Sequence, residues 1–309
     1  MKNIGIIDIG SNTIHLIIIK IDYNGKTKIL DQDKEHLRLG ENINTRKNID
    51  SDKILNTVIT LKKYLRLCLL YNVDDIIAVG TEALRVAENS SFIIDYIKNH
   101  TGLSIKILSK EEEAFLSYLG VASTYNITNT LIMDLGGNST ELISVRDGIF
   151  ANYVSLPIGA INVYEKINLS KEGRFYDCTY SEDYFNSIFS NLPIINNKND
   201  VVLFGVGGTF KNLKNIYKNI SVNKNLNPNY LELDSNTLIN LCIYLKNLSS
   251  ADRINLKGLS KKRCDIILGG CEIIINSIKY HSFKKINICD EGLRTGILSN
   301  YLNPKISLK

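Results

Sequence analysis

No stretch of the chain approaches the roughly 18 uninterrupted apolar residues of a membrane-spanning helix. Met1-Lys2 leads directly into an apolar strand and not into a signal peptide. Those absences argue against a membrane partner and for a cytoplasmic location. Six cysteines (Cys68, Cys178, Cys242, Cys264, Cys271, Cys289) include no C-x-x-C pair, which disfavours zinc and disulfide frameworks. Of four histidines only His15 lies beside a motif, on an apolar strand where a packed imidazole is the commoner role. Tryptophan is missing and Asn, Ile and Lys abound, a pattern of codon usage without functional content. The net charge of +5 suits an anionic partner but is too small to imply nucleic acid. Lys261-Lys262-Arg263 reads as a solvated helix face.

What the chain does contain is one short motif written twice. DIGSNT (Asp8 to Thr13) and DLGGNSTE (Asp134 to Glu141) each follow an apolar run and precede another. Strand, polar turn and strand make a β-hairpin, and a turn of Gly, Ser, Asn and Thr offers N–H and hydroxyl donors to an anion such as phosphate. The donors are Ser11 and Asn12 in the first copy, and Gly136, Gly137, Asn138, Ser139 and Thr140 in the second. Asp134 and Glu141 stand at opposite feet of the second hairpin, and hard carboxylate oxygens so placed suit Mg²⁺ or Mn²⁺. The alternative for Asp134 is a turn cap bonded to backbone N–H groups. Asp8, its counterpart, either takes part in metal binding through a water or orients its own loop.

At 309 residues, 44% of them hydrophobic, two soluble domains are the natural expectation. The first half reads as strands Ile4–Ile7, Ile14–Asp22 and Lys26–Gln32, a helix from Ser51 to Tyr71 with Ser51 as N-cap, and then a βαβ-like rhythm. That rhythm comprises strand Ile76–Val79, helix Glu88–His100, strand Ser104–Leu108 and a capping-box helix from Ser109 to Val121. Polar Thr124–Asn129 sets the expected boundary, giving domains 1–124 and 125–309, with the last helix packing back on the first. The second half restarts with strands Thr130–Met133, Glu141–Arg146 and Phe150–Leu156. Val201–Phe204 then leads to Gly205-Val206-Gly207-Gly208-Thr209, where Gly207, Gly208 and Thr209 form either another phosphate turn or a close-packing turn. Asn196–Asn199 and Asn219–Asn229 read as surface loops. Helices Ser235–Leu248, Ser260–Tyr280 and Glu291–Leu302, with strand Ile286–Ile288, complete the chain.

A duplicated α/β fold with DxGSxx and DxGGxST turns resembles the superfamily of actin, the heat-shock ATPases and the sugar kinases. Within it the chain resembles the exopolyphosphatase / guanosine pentaphosphate phosphohydrolase (Ppx/GppA) family. The strings IDIGSNTIHLII, VGTEALRVAEN, SKEEEAFLSYLGV, IMDLGGNSTELI, SLPIGAINVYE, GVGGT, ADRINLKGLSKKRCDII and CDEGLRTGIL occur in the family's order. The resemblance implies two ribonuclease H-like (actin-like ATPase) domains with a central cleft, in the family's short two-domain form.

It also implies chemistry. Glu113, before Ala in the E-E-A string, corresponds to the catalytic base, with Glu112 the fallback, and Arg85 in LR-x-A-x-N corresponds to a phosphate-contacting arginine. Without the resemblance, Glu111 to Glu113 read as a solvated helix start. Two positions depart from the family: Asn138 stands for a usual glycine and Phe115 for a usual basic residue. Asn tolerates positive φ, so the turn is expected to survive, whereas Phe115 removes a charge near the attacking water. The leading expectation is hydrolysis of terminal phosphate from short inorganic polyphosphate. Guanosine pentaphosphate hydrolysis and a non-catalytic polyphosphate or nucleotide sensor are the alternatives. Oligomeric state is left open, with a homodimer as one option.

Overall fold

The computed structural model describes residues 1–190, 202–221 and 231–304. The Asn-rich segment at 196–199 and most of that at 219–229 lie outside them. The chain divides into two compact units, Met1–Glu113 with the segment from Ile297 onward, and Ala114–Gly296.

The first unit opens with β1 (Lys2–Ile9), β2 (Ile14–Ile21) and β3 (Thr27–Glu35), an antiparallel meander. A short α1 (Ile43–Arg46) and a long α2 (Ser51–Leu70) lead to β4 (Asp75–Gly80), which pairs parallel with β1. Then come α3 (Glu82–Val86), α4 (Ser90–Thr101), a two-residue β5 (Lys106–Ile107) and α5 (Lys110–Ala122). The sheet order is β3-β2-β1-β4-β5. Strand β1 is buried from Ile4 to Ile9, hence its near-continuous apolar run. Ile54, Val58, Leu61, Tyr64 and Cys68 form the buried stripe of α2, which starts at Ser51 with Asp50, not Ser51, as N-cap.

The second unit repeats the plan with β6 (Thr130–Leu135), β7 (Thr140–Arg146) and β8 (Ile149–Leu156), again an antiparallel meander. After α6 (Ala160–Tyr164), a separate ribbon of β9 (Ile167–Leu169) and β10 (Phe175–Cys178), and α7 (Glu182–Ser190), β11 (Val202–Val206) joins β6 in parallel. The remainder is α8 (Gly208–Ile220), β12 (Leu231–Asp234), α9 (Ser235–Asn247), α10 (Ser250–Asn255), α11 (Ile267–His281), β13 (Lys285–Ile288) and α12 (Leu293–Leu302). The order β12-β13-β11-β6-β7-β8 matches the first sheet strand for strand, with β12 added antiparallel at the edge. Both units are therefore ribonuclease H-like α/β folds. No helix among the described residues is long and apolar enough to cross a membrane.

Three further points differ from the sequence reading. The units divide at Glu113/Ala114, inside α5, and not after Thr124. Ala114, Val121 and Ile127 bury themselves with Ile132, Ile143, Phe204 and Cys289, so α5 beyond Glu113 and the polar segment after it join the second core. The helix expected over Ser260–Tyr280 is a 3₁₀ turn at Lys261–Arg263 followed by α11, and at the break between them the Cys264 carbonyl accepts from Nε of Arg253 (2.9 Å). Asn138 is not at positive φ, so no left-handed residue is needed at that point of the second turn.

Candidate active site

The two hairpins have the same geometry. Gly10 N–H donates to Thr13 O and Gly136 N–H to Ser139 O, each at 3.0 Å, closing turns of equal length. In both, later segments occupy the turn's carbonyls. Ser11 O accepts from Gly40 N (2.8 Å) and Asn12 O from Arg38 N (3.1 Å). Gly136 O accepts from Ala160 N (3.1 Å), Gly137 O from Ile161 N (2.7 Å) and Asn138 O from Asn162 Nδ2 (3.0 Å). The carbonyls are thereby taken, while the amides of Ser11, Asn12, Thr13, Gly137 and Ser139 have no backbone acceptor among the described residues. A turn with such amides can cradle an anion.

Gly159 makes this packing possible in the second copy, since a Cβ there would overlap the Gly137 carbonyl. Thr140 stands apart from the other predicted donors. Its hydroxyl donates to Ile158 O (2.6 Å), because alternation along β7 turns it to the face opposite Glu141.

The strand register places Asp134 directly opposite Glu141, so both side chains rise from one face. A serine hydroxyl anchors each: Ser155 donates to Oε1 of Glu141 (2.9 Å), and Ser117 of α5 donates to Oδ2 of Asp134. In the first hairpin Asp8 faces His15, so the copies differ in charge at that foot. Among the described residues no group of three or more His, Cys, Asp and Glu has the arrangement of a metal site. Two carboxylates completed by phosphate oxygens are nonetheless a donor set that Mg²⁺ accepts.

Glu113 and Arg85 meet within the first unit. Arg85 Nη2 donates to Glu113 Oε2 (2.9 Å) and to Glu82 Oε2 (2.5 Å), Nε donates to the same Glu82 oxygen (3.0 Å), and Nη1 donates to Leu108 O (2.6 Å). Glu82 and Glu113 are buried. Burial works against the charge on Arg85, but the Glu113 charge and the bonds to Glu82 outweigh it and raise its pKa above the ordinary guanidinium value. The sequence reading missed Glu82; its only signal is a position three before Arg85, reachable on one helical turn. Glu112, the fallback base, is committed elsewhere. It closes the capping box with Ser109 (2.8 and 3.1 Å) and pairs with Lys106.

Phe115 lies two residues beyond Glu113 on α5, so it points to the far side of the helix, where it packs edge-on against Phe150 at 5.4 Å. It is buried there. Gly207 has φ +99°, and a Cβ on it would sit 2.5 Å from Leu135 O and 3.2 Å from Asp134 Oδ1. Thr209 is buried against Gly270, and the Arg263 guanidinium lies over Gly208. The Gly207-Gly208-Thr209 turn thus packs tightly beside Asp134.

Two matching turns with free amides, a buried carboxylate–guanidinium pair and an opposed pair of carboxylates on duplicated ribonuclease H-like units are features that suit a phosphate-handling protein. The Ppx/GppA phosphatase family model matches residues 17–304, and the chain belongs to that family. It is 25% identical over 97% of its length to exopolyphosphatase 1 of Mycobacterium tuberculosis, covering 88% of that protein. A guanosine-5'-triphosphate,3'-diphosphate pyrophosphatase of Pseudoalteromonas atlantica is 26% identical over 96% of the chain, which spans 58% of it. A bifunctional 3-dehydroquinate synthase/phosphatase of Fusobacterium nucleatum is 28% identical over 89% of the chain, which spans 43% of it. The crystal structure of an exopolyphosphatase from Cytophaga hutchinsonii has the same fold, with a TM-score of 0.85, 24% identity and 98% coverage of both chains.

Proposed function

We propose that this chain is an exopolyphosphatase that hydrolyses the terminal phosphoanhydride of short inorganic polyphosphate. The observation that carries the reading is the pair of matching turns, whose carbonyls are occupied while the amides of Ser11, Asn12, Thr13, Gly137 and Ser139 have no backbone acceptor among the described residues. Relatives named exopolyphosphatase and guanosine-5'-triphosphate,3'-diphosphate pyrophosphatase both support phosphoanhydride hydrolysis.

In this reading the turn amides, with Ser11, Asn12 and Ser139, hold phosphate oxygens, and Arg85 neutralises the terminal group. Glu113 takes the proton of the attacking water as the water oxygen bonds to terminal phosphorus and the bridging P–O bond breaks toward the shortened chain. Asp134 and Glu141 would hold a magnesium or manganese ion. Two carboxylates directly opposite on one face repel each other, and a divalent cation would relieve that repulsion. When bound, the cation would neutralise charge building on the phosphates.

The test is phosphate release from tripolyphosphate, guanosine pentaphosphate and ATP, with Mg²⁺ and after chelation, by the purified chain and by Glu113→Gln. Release from tripolyphosphate that needs the cation and falls by about 10²–10⁴ in Glu113→Gln is expected. Release from guanosine pentaphosphate alone would transfer the assignment to that substrate. Binding of either without release would leave a sensor.

A further inference from the structure

The Arg85 guanidinium is almost fully committed before any phosphate arrives. Of its five N–H groups, one on Nη2 goes to Glu113, the other on Nη2 and that on Nε go to Glu82, and one on Nη1 goes to Leu108 O. A single N–H on Nη1 is left. A phosphate that is to be gripped by two parallel bonds, as arginine grips phosphate best, has to take one donor from a present holder. The two holders are unequal. Glu82 sits on the same short helix, receives two donors, and approaches at 2.5 Å, whereas Glu113 receives one at 2.9 Å. The weaker bond is the one that a phosphate displaces. Glu113 is also the proposed base, and its Oε2 cannot accept a water proton along the direction that Arg85 Nη2 occupies.

We propose that Glu82 is a positioning residue that anchors Arg85, so that an arriving phosphate displaces Glu113 from the guanidinium and thereby releases Oε2 of the base as substrate binds. This rests on the assignment of Glu113 as base. Three charged groups take part, two carboxylates and one guanidinium, all largely shielded from solvent. Without the charge of Glu82, the whole attraction of Arg85 falls on Glu113, and release becomes harder. At the same time the pocket loses one negative charge, which favours phosphate binding. An anchor therefore has a signature that mere disorder of Arg85 lacks: its neutralisation slows turnover without weakening substrate binding.

The experiment compares wild type, Glu82→Gln, Glu82→Asp and Glu113→Gln. Each is assayed on tripolyphosphate with Mg²⁺, and each is titrated with inorganic phosphate by calorimetry after its melting curve is recorded. For Glu82→Gln the expected result is a fall in kcat of tenfold or more with KM unchanged or lower. Glu82→Asp, which keeps the charge, recovers most of kcat. Glu113→Gln, lacking the competing charge, binds inorganic phosphate several-fold more tightly than wild type. An unchanged kcat in Glu82→Gln, or a KM that rises as kcat falls, overturns the proposal. So does Glu113→Gln that binds phosphate no better than wild type. If Glu82→Gln does not fold, Glu82→Asp and the phosphate titration of Glu113→Gln decide. A wild type that releases no phosphate defeats the hydrolase reading instead, and the titrations still test the competition for Arg85.

Discussion

Ser117 donates its hydroxyl to Oδ2 of Asp134 from a position on α5 that solvent does not reach. One turn before it on that helix stands Glu113. Ser117→Ala removes a donor to a charged group, so a loss of about 1.5–3 kcal/mol in stability is expected. Because the bond orients one of the two candidate cation ligands, the Mg²⁺ concentration for half-maximal phosphate release is expected to rise several-fold, with most activity regained at saturating Mg²⁺. A Mg²⁺ titration of both proteins checks this, and equal midpoints would separate Ser117 from cation binding.

Arg253 is the largest fully buried side chain among the described residues, and its guanidinium bonds to carbonyls and one hydroxyl and to no carboxylate among them: Leu248 O at 2.5 Å, Gly173 O at 2.6 Å, Cys264 O at 2.9 Å and Ser250 Oγ at 3.3 Å. Burial lowers its pKa from the ordinary guanidinium value. Arg253→Met fills much of the volume but orphans those carbonyls, each costing roughly 1–3 kcal/mol. Denaturant unfolding should show a loss of several kcal/mol. A loss below 1 kcal/mol would mean that water satisfies the carbonyls.

Gly159→Ala forces a methyl against the Gly137 peptide that shapes the second cradle. Destabilisation of about 1–3 kcal/mol is expected, together with a higher KM for tripolyphosphate, since the turn must shift to make room. Steady-state kinetics beside a melting curve separates the two effects.

Asp75 is held below its ordinary value of 3.8, chiefly by its bond to Lys2 and then by the Tyr301 hydroxyl. Its folded-state pKa is depressed, so its contribution is present above the ordinary value and lost as pH falls below it. The pair is solvent-exposed, so the effect is small. Melting temperature should fall between pH 5 and pH 2 slightly more steeply for wild type than for Asp75→Asn. Parallel curves would show that the contact of Tyr301 of α12 with β4 carries no net charge energy.

The duplicated hairpins were legible in the sequence because Asp-x-Gly between apolar runs fixes both the strand ends and the turn. The opposition of Asp134 and Glu141 followed from counting along that hairpin. What stayed hidden depends on packing between segments remote in sequence. Ser117 reaches Asp134 only because α5 lies on the second sheet, and the carbonyls of each turn are taken by a loop or helix well downstream. Glu82 was hidden for another reason: a five-residue helix such as α3 leaves almost no periodicity to read. Phe115 illustrates a signal present but unused, since a spacing of two on a helix already turns it away from Glu113.

The two copies share a backbone turn but not the partner of the leading aspartate, which is His15 in the first and Glu141 in the second. A repeat whose halves keep one scaffold and differ at one foot is free to divide labour between them. Here the imperfection of the duplication, and not the duplication itself, is what gives the second hairpin a pair of carboxylates that the first does not have.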